Sequence, residues 1–105
     1  MQPSAEILDC TSLEPGARVE LETKSRHYAI EFLGGDLVRI SGHPQYCPQP
    51  VMAHLQGSLN RQGLLEAGLI ERGMRLMFVV EDRLPVTTSK VLHFHVDHDA
   101  PPRVH

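Results

Sequence analysis

Residues 17–42 read ARVELETKSRHYAIEFLGGDLVRISG, and this stretch decides the fold. Val19 and Leu21 alternate with Arg18, Glu20 and Glu22, while Tyr28, Ile30 and Phe32 alternate with His27, Ala29 and Glu31. Leu37, Val38 and Ile40 follow after Gly34-Gly35-Asp36. Successive side chains of a strand point to opposite faces, so period-2 alternation between turn residues marks half-buried antiparallel strands. The spacing predicts strands over 17–23, 27–33 and 37–41. Glycine supplies the positive φ that the tight Gly34-Gly35-Asp36 connection needs.

Working outward, Leu13-Glu14-Pro15-Gly16 places Pro and Gly where a chain reverses, and residues 1–16 read as a lead-in whose Ile7 and Leu8 pack on the core. Downstream, residues 42–50 hold three prolines in nine positions. Proline lacks the N–H of a central strand, so this is an extended loop or an edge. Residues 51–56 read as a further strand ended by Gly57-Ser58. In 58–73, Leu59, Leu64, Leu65, Leu69 and Ile70 could share a helical face, but Gly63 and Gly68 each cost a helix about 1 kcal/mol relative to Ala. Irregular chain with a helical turn or a short strand is expected there. Alternation returns at Met74, Leu76, Phe78 and Val80. Residues 81–85 turn the chain into a long strand over 86–96, and 97–105, with Pro101-Pro102, reads as a frayed tail.

About six short strands predict an all-β fold, a small SH3-like antiparallel barrel with at most one short helical turn around residues 59–70. Closure of the barrel would remove exposed strand edges. One domain spans residues 1–105, since a chain of 105 residues supports one modest core.

Composition narrows the function classes. An apolar fraction of 41% with 22% charged residues is that of an ordinary globular protein, and no run approaches the roughly 20 apolar residues that span a bilayer. The first residues lack the basic and apolar segments of a secretory signal, so a cytoplasmic location is expected. Cys10 and Cys47 form no Cys-x-x-Cys pair and read as reduced thiols, small hydrophobes of the core. The net charge of −3 argues against nucleic acid as the main partner.

Two constellations carry possible chemistry. His93 and His95, with Asp97, are expected on one face of the last strand, with Leu92, Phe94 and Val96 on the other. Two imidazoles on one strand face can share a metal ion whose remaining ligands come from elsewhere. This defines a zinc reading in which His93 and His95 are joined by His43, Cys47 or His54, and it requires the last strand to lie beside loop 42–50. The His-x-His pair is also that of cupin-type barrels, but no Glu follows Glu81 to complete that pattern. A wet-face role for these histidines is the bland alternative. Second, His43 and Cys47 with His54 could serve zinc, or Cys47 a nucleophile, although no orienting group or oxyanion hole can be assigned. Gly34-Gly35-Asp36 lacks the Lys and following helix of a phosphate loop. Lys24, Arg26 and His27 beside Tyr28 form a small basic rim of the kind that binds RNA weakly, though alternation assigns Tyr28 to the core.

An ordered pattern runs from Leu13-Glu14-Pro15-Gly16 through the Gly-bounded hairpin and Ile70-Glu71-Arg72-Gly73-Met74 to Thr88-Ser89-Lys90-Val91. It resembles a group of small uncharacterised bacterial all-β proteins that close on a Thr-Ser-x-Val strand. The resemblance implies a small barrel, no known activity and no ligand residues. The expected function is therefore a non-catalytic interaction module without cofactor, a monomer or weak dimer. It would hold a protein or peptide through loop 42–50, with Tyr46, Gln49 and His43 as contacts, since stiff loops lose little entropy on binding.

Overall fold

Val19 lies opposite Ile30, and Ile30 opposite Ile40, so the alternating apolar positions of three adjacent strands meet on one side of one sheet. The structure, a computed structural model, describes residues 7–45, 47–80 and 85–97. In chain order its elements are β1 (Ile7–Asp9), a 3-10 turn (Cys10–Ser12), β2 (Arg18–Thr23), β3 (His27–Gly34), β4 (Leu37–Ser41), β5 (Val51–Leu59), β6 (Leu65–Ala67), β7 (Leu69–Glu71), β8 (Arg75–Val80) and β9 (Val86–Asp97). The strands expected from alternation match β2, β3, β4, β8 and β9 to within a residue or so at each end. The expected turn at 81–84 and the tail beyond Asp97 lie outside the described residues.

Neighbouring strands run β4-β3-β2-β9-β8-β5, and β4 also pairs with β5, so six antiparallel strands close into a barrel. Its interior is filled by the inward sets of every strand, among them Leu21, Ile30, Ile40, Leu76, Phe78 and Val91, all fully buried. Tyr28 is buried too, its ring meeting Phe78 edge-on at 6.0 Å between centroids. Each such apolar side chain removed from water contributes on the order of 1.5–3 kcal/mol.

The stretch 58–73, left between helical turn and short strand by its leucines, forms strands. β6 extends the barrel sheet beside the far half of β5, and β7 pairs with β1 in a separate two-stranded sheet. The one helical turn among the described residues is Cys10–Ser12, within the stretch read as a lead-in, where Asp9 caps it by accepting the Thr11 N–H at 3.0 Å. Ile70 reaches the core from this small sheet and Cys10 from the turn that follows β1. Ser58, fully buried, ties the two sheets together: its hydroxyl donates to the Leu69 carbonyl at 2.8 Å and accepts the Glu71 N–H at 3.1 Å.

β9 departs from simple alternation. Arg75 and Met77 pair with Lys90 and Thr87, and Glu22 and Thr23 pair with His93 and Val91, so β9 carries an extra residue at two places. Each extra residue is a bulge, which bends the strand and resets which face its side chains point to. The first bulge leaves Leu76 N–H without a ladder partner, and the buried Thr88 hydroxyl accepts it at 3.0 Å. The second bulge turns Leu92 outward, 38% exposed, correcting its expected place beside Phe94 and Val96. Ser89 accepts the Ser25 N–H at 3.2 Å, linking the same segment to the β2–β3 turn.

Two substitutions test this account. Thr88→Val keeps shape but strands a buried amide, and should cost about 1–3 kcal/mol in urea denaturation; an unchanged midpoint would show that the hydroxyl is dispensable. Gly57 has φ +140, and a Cβ there would lie 2.2 Å from the Glu66 carbonyl oxygen. Gly57→Ala should therefore destabilise by more than about 2 kcal/mol in the same measurement.

Candidate functional site

β5 changes partner halfway along one edge. Its first half pairs with β4 through His54, its second half pairs with β6 from Gly57, and the bulge between Leu55 and Gly57 separates the two. The gap is spanned by single bonds: Leu55 N–H donates to the Asp36 carbonyl at 2.8 Å, and Gly68 N–H donates to the Gln56 carbonyl at 3.0 Å. A cleft of about 380 Å³ opens there. Phe32 and Leu55 form its base, Leu65, Ala67 and Gly68 one wall, and Gly35 with Asp36 the other, while Cys10 and Thr11 close the end.

The chemistry of this cleft is mostly apolar. Burial, reinforced by the neighbouring Asp9 charge, pushes the Cys10 thiol up to about 12. At neutral pH it is a protonated, weakly polar surface rather than a nucleophile. Asp36 and Gln56 stand at the rim, and Asp36 meets the His54 ring nitrogen Nδ1 at 3.0 Å with both side chains exposed. An exposed pair of this kind contributes little to stability. It does hold a polar, ionisable edge against an apolar base, the usual make-up of a binding pocket.

β6 adds a second element. It is the end strand of its sheet, with β5 as its neighbour. The Leu64 carbonyl accepts the Asn60 N–H at 2.9 Å and closes the hairpin to β5, while the Gly68 carbonyl accepts the Cys10 N–H at 2.8 Å. Among the described residues no second strand pairs with β6, and an edge of this kind can template pairing with another chain.

The residues singled out by sequence lie elsewhere. His43 and Cys47 form an isolated bridge, with Gly42 N–H bonded to Cys47 C=O and Cys47 N–H to His43 C=O, both at 2.9 Å. The His43 Nδ1 accepts the Gln45 N–H at 3.1 Å, and burial, then the Arg26 charge, lowers its pKa. It serves its own loop as a neutral acceptor. Cys47 is fully buried in the core, and burial raises its thiol pKa. Gln49 is exposed. Tyr46 lies outside the described residues.

His93 and His95 are exposed on the outer face of β9, opposite Glu22 and Glu20 of β2. The zinc reading requires β9 beside loop 42–50, but β2 and β3 intervene between β9 and β4. His54 lies on β5, opposite Leu37 of β4, with β8 between β5 and β9. These donors are not brought together, and among the described residues no three His, Cys, Asp or Glu side chains are grouped to hold a metal ion. A smaller depression, about 180 Å³, lies over Ala29 on the outer face between Arg18, Glu20, Glu31 and Arg39. Its main feature is the Arg39–Glu31 ion pair at 2.8 Å.

The cleft was not legible in the sequence, because its walls come from positions 10, 32, 36, 55 and 67, joined only by register. The signal that hinted at it was the cluster Gly57, Gly63 and Gly68, each with positive φ, around a strand that is too short to read by alternation. The fold and this cleft define a small closed β-barrel with an apolar pocket beside an open strand edge. No family model, curated protein or solved structure matches the chain.

Glu66 on β6 and Glu71 on β7 form a hydrogen-bonded carboxyl pair. A bond to Glu71 and one from Asn60 lower the Glu66 pKa, while the bond to Glu66, then burial and the Glu66 charge, raise that of Glu71. Glu71 thus keeps a proton that the unfolded chain releases, so its contribution weakens stability as pH rises from the ordinary Glu range through its raised value. Glu71→Gln retains a donor for Glu66 without the like charge. It should raise the melting temperature at neutral pH and leave it unchanged near pH 4, as followed by circular dichroism. An equal shift at both pH values would count against a shared proton.

Proposed function

We propose that this protein is a non-catalytic binding module that takes an extended peptide along β6, with one apolar side chain seated in the adjacent cleft. The carrying observation is the juxtaposition of an open strand edge with an apolar pocket of about 380 Å³. Strand addition supplies main-chain hydrogen bonds and little selectivity, while a pocket for alternate side chains supplies specificity. The size of the pocket accommodates one or two side chains of such a peptide. Cys10, the one thiol in the lining, has its pKa pushed up to about 12, which supports binding over thiolate catalysis.

Two free, buried cysteines fit a reducing, cytoplasmic setting. Among the described residues no helix is long and apolar enough to cross a membrane. A second reading keeps the partner on loop 42–50, favoured by exposed Pro48, Gln49 and Pro50 on a loop anchored by buried Cys47.

Selection from a displayed library of random peptides distinguishes the two. The β6 reading expects enrichment of extended sequences with an apolar residue between β-formers, and loss of binding in Ala67→Arg, which fills an exposed position on the cleft wall. Binding that survives Ala67→Arg but fails in Gln49→Ala would move the site to the loop. A selection that enriches nothing over a blank surface would overturn both.

A further inference from the structure

The net charge of −3 describes the chain as a whole, but the fold distributes that charge unevenly. Among the described residues Arg18, Lys24, Arg26, Arg61, Arg75 and Lys90 take part in no ion pair. All of these except Arg18 collect at one end of the barrel. Lys24 N–H donates to the Lys90 carbonyl at 3.1 Å, and Lys90 lies opposite Arg75 across β8 and β9. Arg26 follows in the β2–β3 turn, where its carbonyl accepts the Thr23 N–H at 2.8 Å. On the far side Arg75 pairs with Leu59, which leads into the turn carrying Arg61.

These cations form a row rather than a cup. With neighbouring strands about 4.8 Å apart, the run Arg75, Lys90, Lys24, Arg26 extends over about 15 Å. All four side chains are exposed. Hydroxyls of Ser25 and Ser89 lie within the row, joined by the Ser25 N–H bond to Ser89 Oγ. Among the described residues, the carboxylates bordering the row are Glu22, flanked by His93 and His27 on the neighbouring strands, and Glu71 at the start of the β7–β8 turn.

We propose that this end of the barrel binds the phosphodiester backbone of single-stranded nucleic acid without reading its sequence. A line of unpaired cations matches a linear polyanion better than a lone phosphate, and counterion release supplies the affinity. The exposed His27 and His93 rings at its edge offer modest stacking surfaces. Tyr28, Phe32 and Phe78 are buried, so they provide no base-reading platform. An acidic protein partner would need an apolar or aromatic anchor at the centre of its interface. An anionic bilayer would need a broad apolar face, whereas the four cations of the row stand around the Ser25 and Ser89 hydroxyls, with Leu92 on β9 and Leu64 in the turn of Arg61 as exposed apolar side chains of this end among the described residues. The overall charge misleads because the sum hides a local excess, and local potential governs association.

Fluorescence anisotropy with labelled oligothymidylate and oligouridylate tests the assignment. Both should bind comparably, and four phosphate contacts predict a slope of about −3 for log K against log salt. The double variant Lys24→Glu/Lys90→Glu, checked for its fold by circular dichroism, should lose roughly tenfold or more in affinity. Arg18→Gln removes one unpaired cation from the other end of β2 and should leave affinity unchanged. No binding at low salt, or binding that ignores the double reversal, would overturn the proposal. So would stronger binding to phosphatidylserine vesicles than to either oligonucleotide, since that result would assign the row to a membrane surface.

Discussion

Closure of the barrel depends on β9, because this one strand must pair with β8 over its first half and with β2 over its second. A straight strand could not turn from one neighbour to the other within twelve residues. Two bulges supply the bend, and a bulge always leaves backbone groups outside the ladder. Thr88 receives the buried amide this creates, and Ser89 links the bend to the β2–β3 turn. The Thr-Ser pair is thus part of the closure itself. Without it the sheet would end in two long open edges.

The same kind of junction on β5 has the opposite result. There the bulge falls where β4 stops and β6 begins, and only two backbone bonds cross the gap. Gly57 allows β6 to approach closely, and Ser58 secures β7 behind it. The apolar side chains under the gap, Phe32 and Leu55, remain in the core yet border an opening. One bulge is sealed by hydroxyls and closes the barrel; the other stays partly open and forms its pocket. The proposed peptide binding rests on the open junction because strand edges and apolar recesses are what a partner can complete.

Electrostatics follows from register in the same way. On the outer face, cross-strand rows set Arg18 between Glu31 and Asp97, and Glu22 between His27 and His93. In these rows each histidine or cation has a carboxylate neighbour, which suits a solvated sheet surface. At the turn end the rows stop, and the lysines and arginines lose those neighbours. The histidines that most resemble metal ligands in the sequence belong to the balanced rows, with β2 and β3 separating them from His43 and Cys47.

The sequence by itself determined the class and the strands of the barrel. Alternation at Val19, Leu21, Tyr28, Ile30 and Phe32, and again at Leu76, Phe78 and Val80, is local information, since a strand's two faces repeat every second residue. The tight turn at Gly34-Gly35 and the inward place of Tyr28 were legible for the same reason. Strands of three residues, such as β6 and β7, are too short to show a period, and a bulge shifts the period without any marker in composition. Leu92 therefore read as inward, and 58–73 read as irregular chain with a helical turn or a short strand. Only the tertiary structure decided which strands meet, and with that the cleft, the separation of the histidines from Cys47, and the gathering of Lys24, Arg75 and Lys90. Those features join residues up to 66 positions apart, and pairing register, which brings them together, is a property of the closed sheet rather than of any one segment.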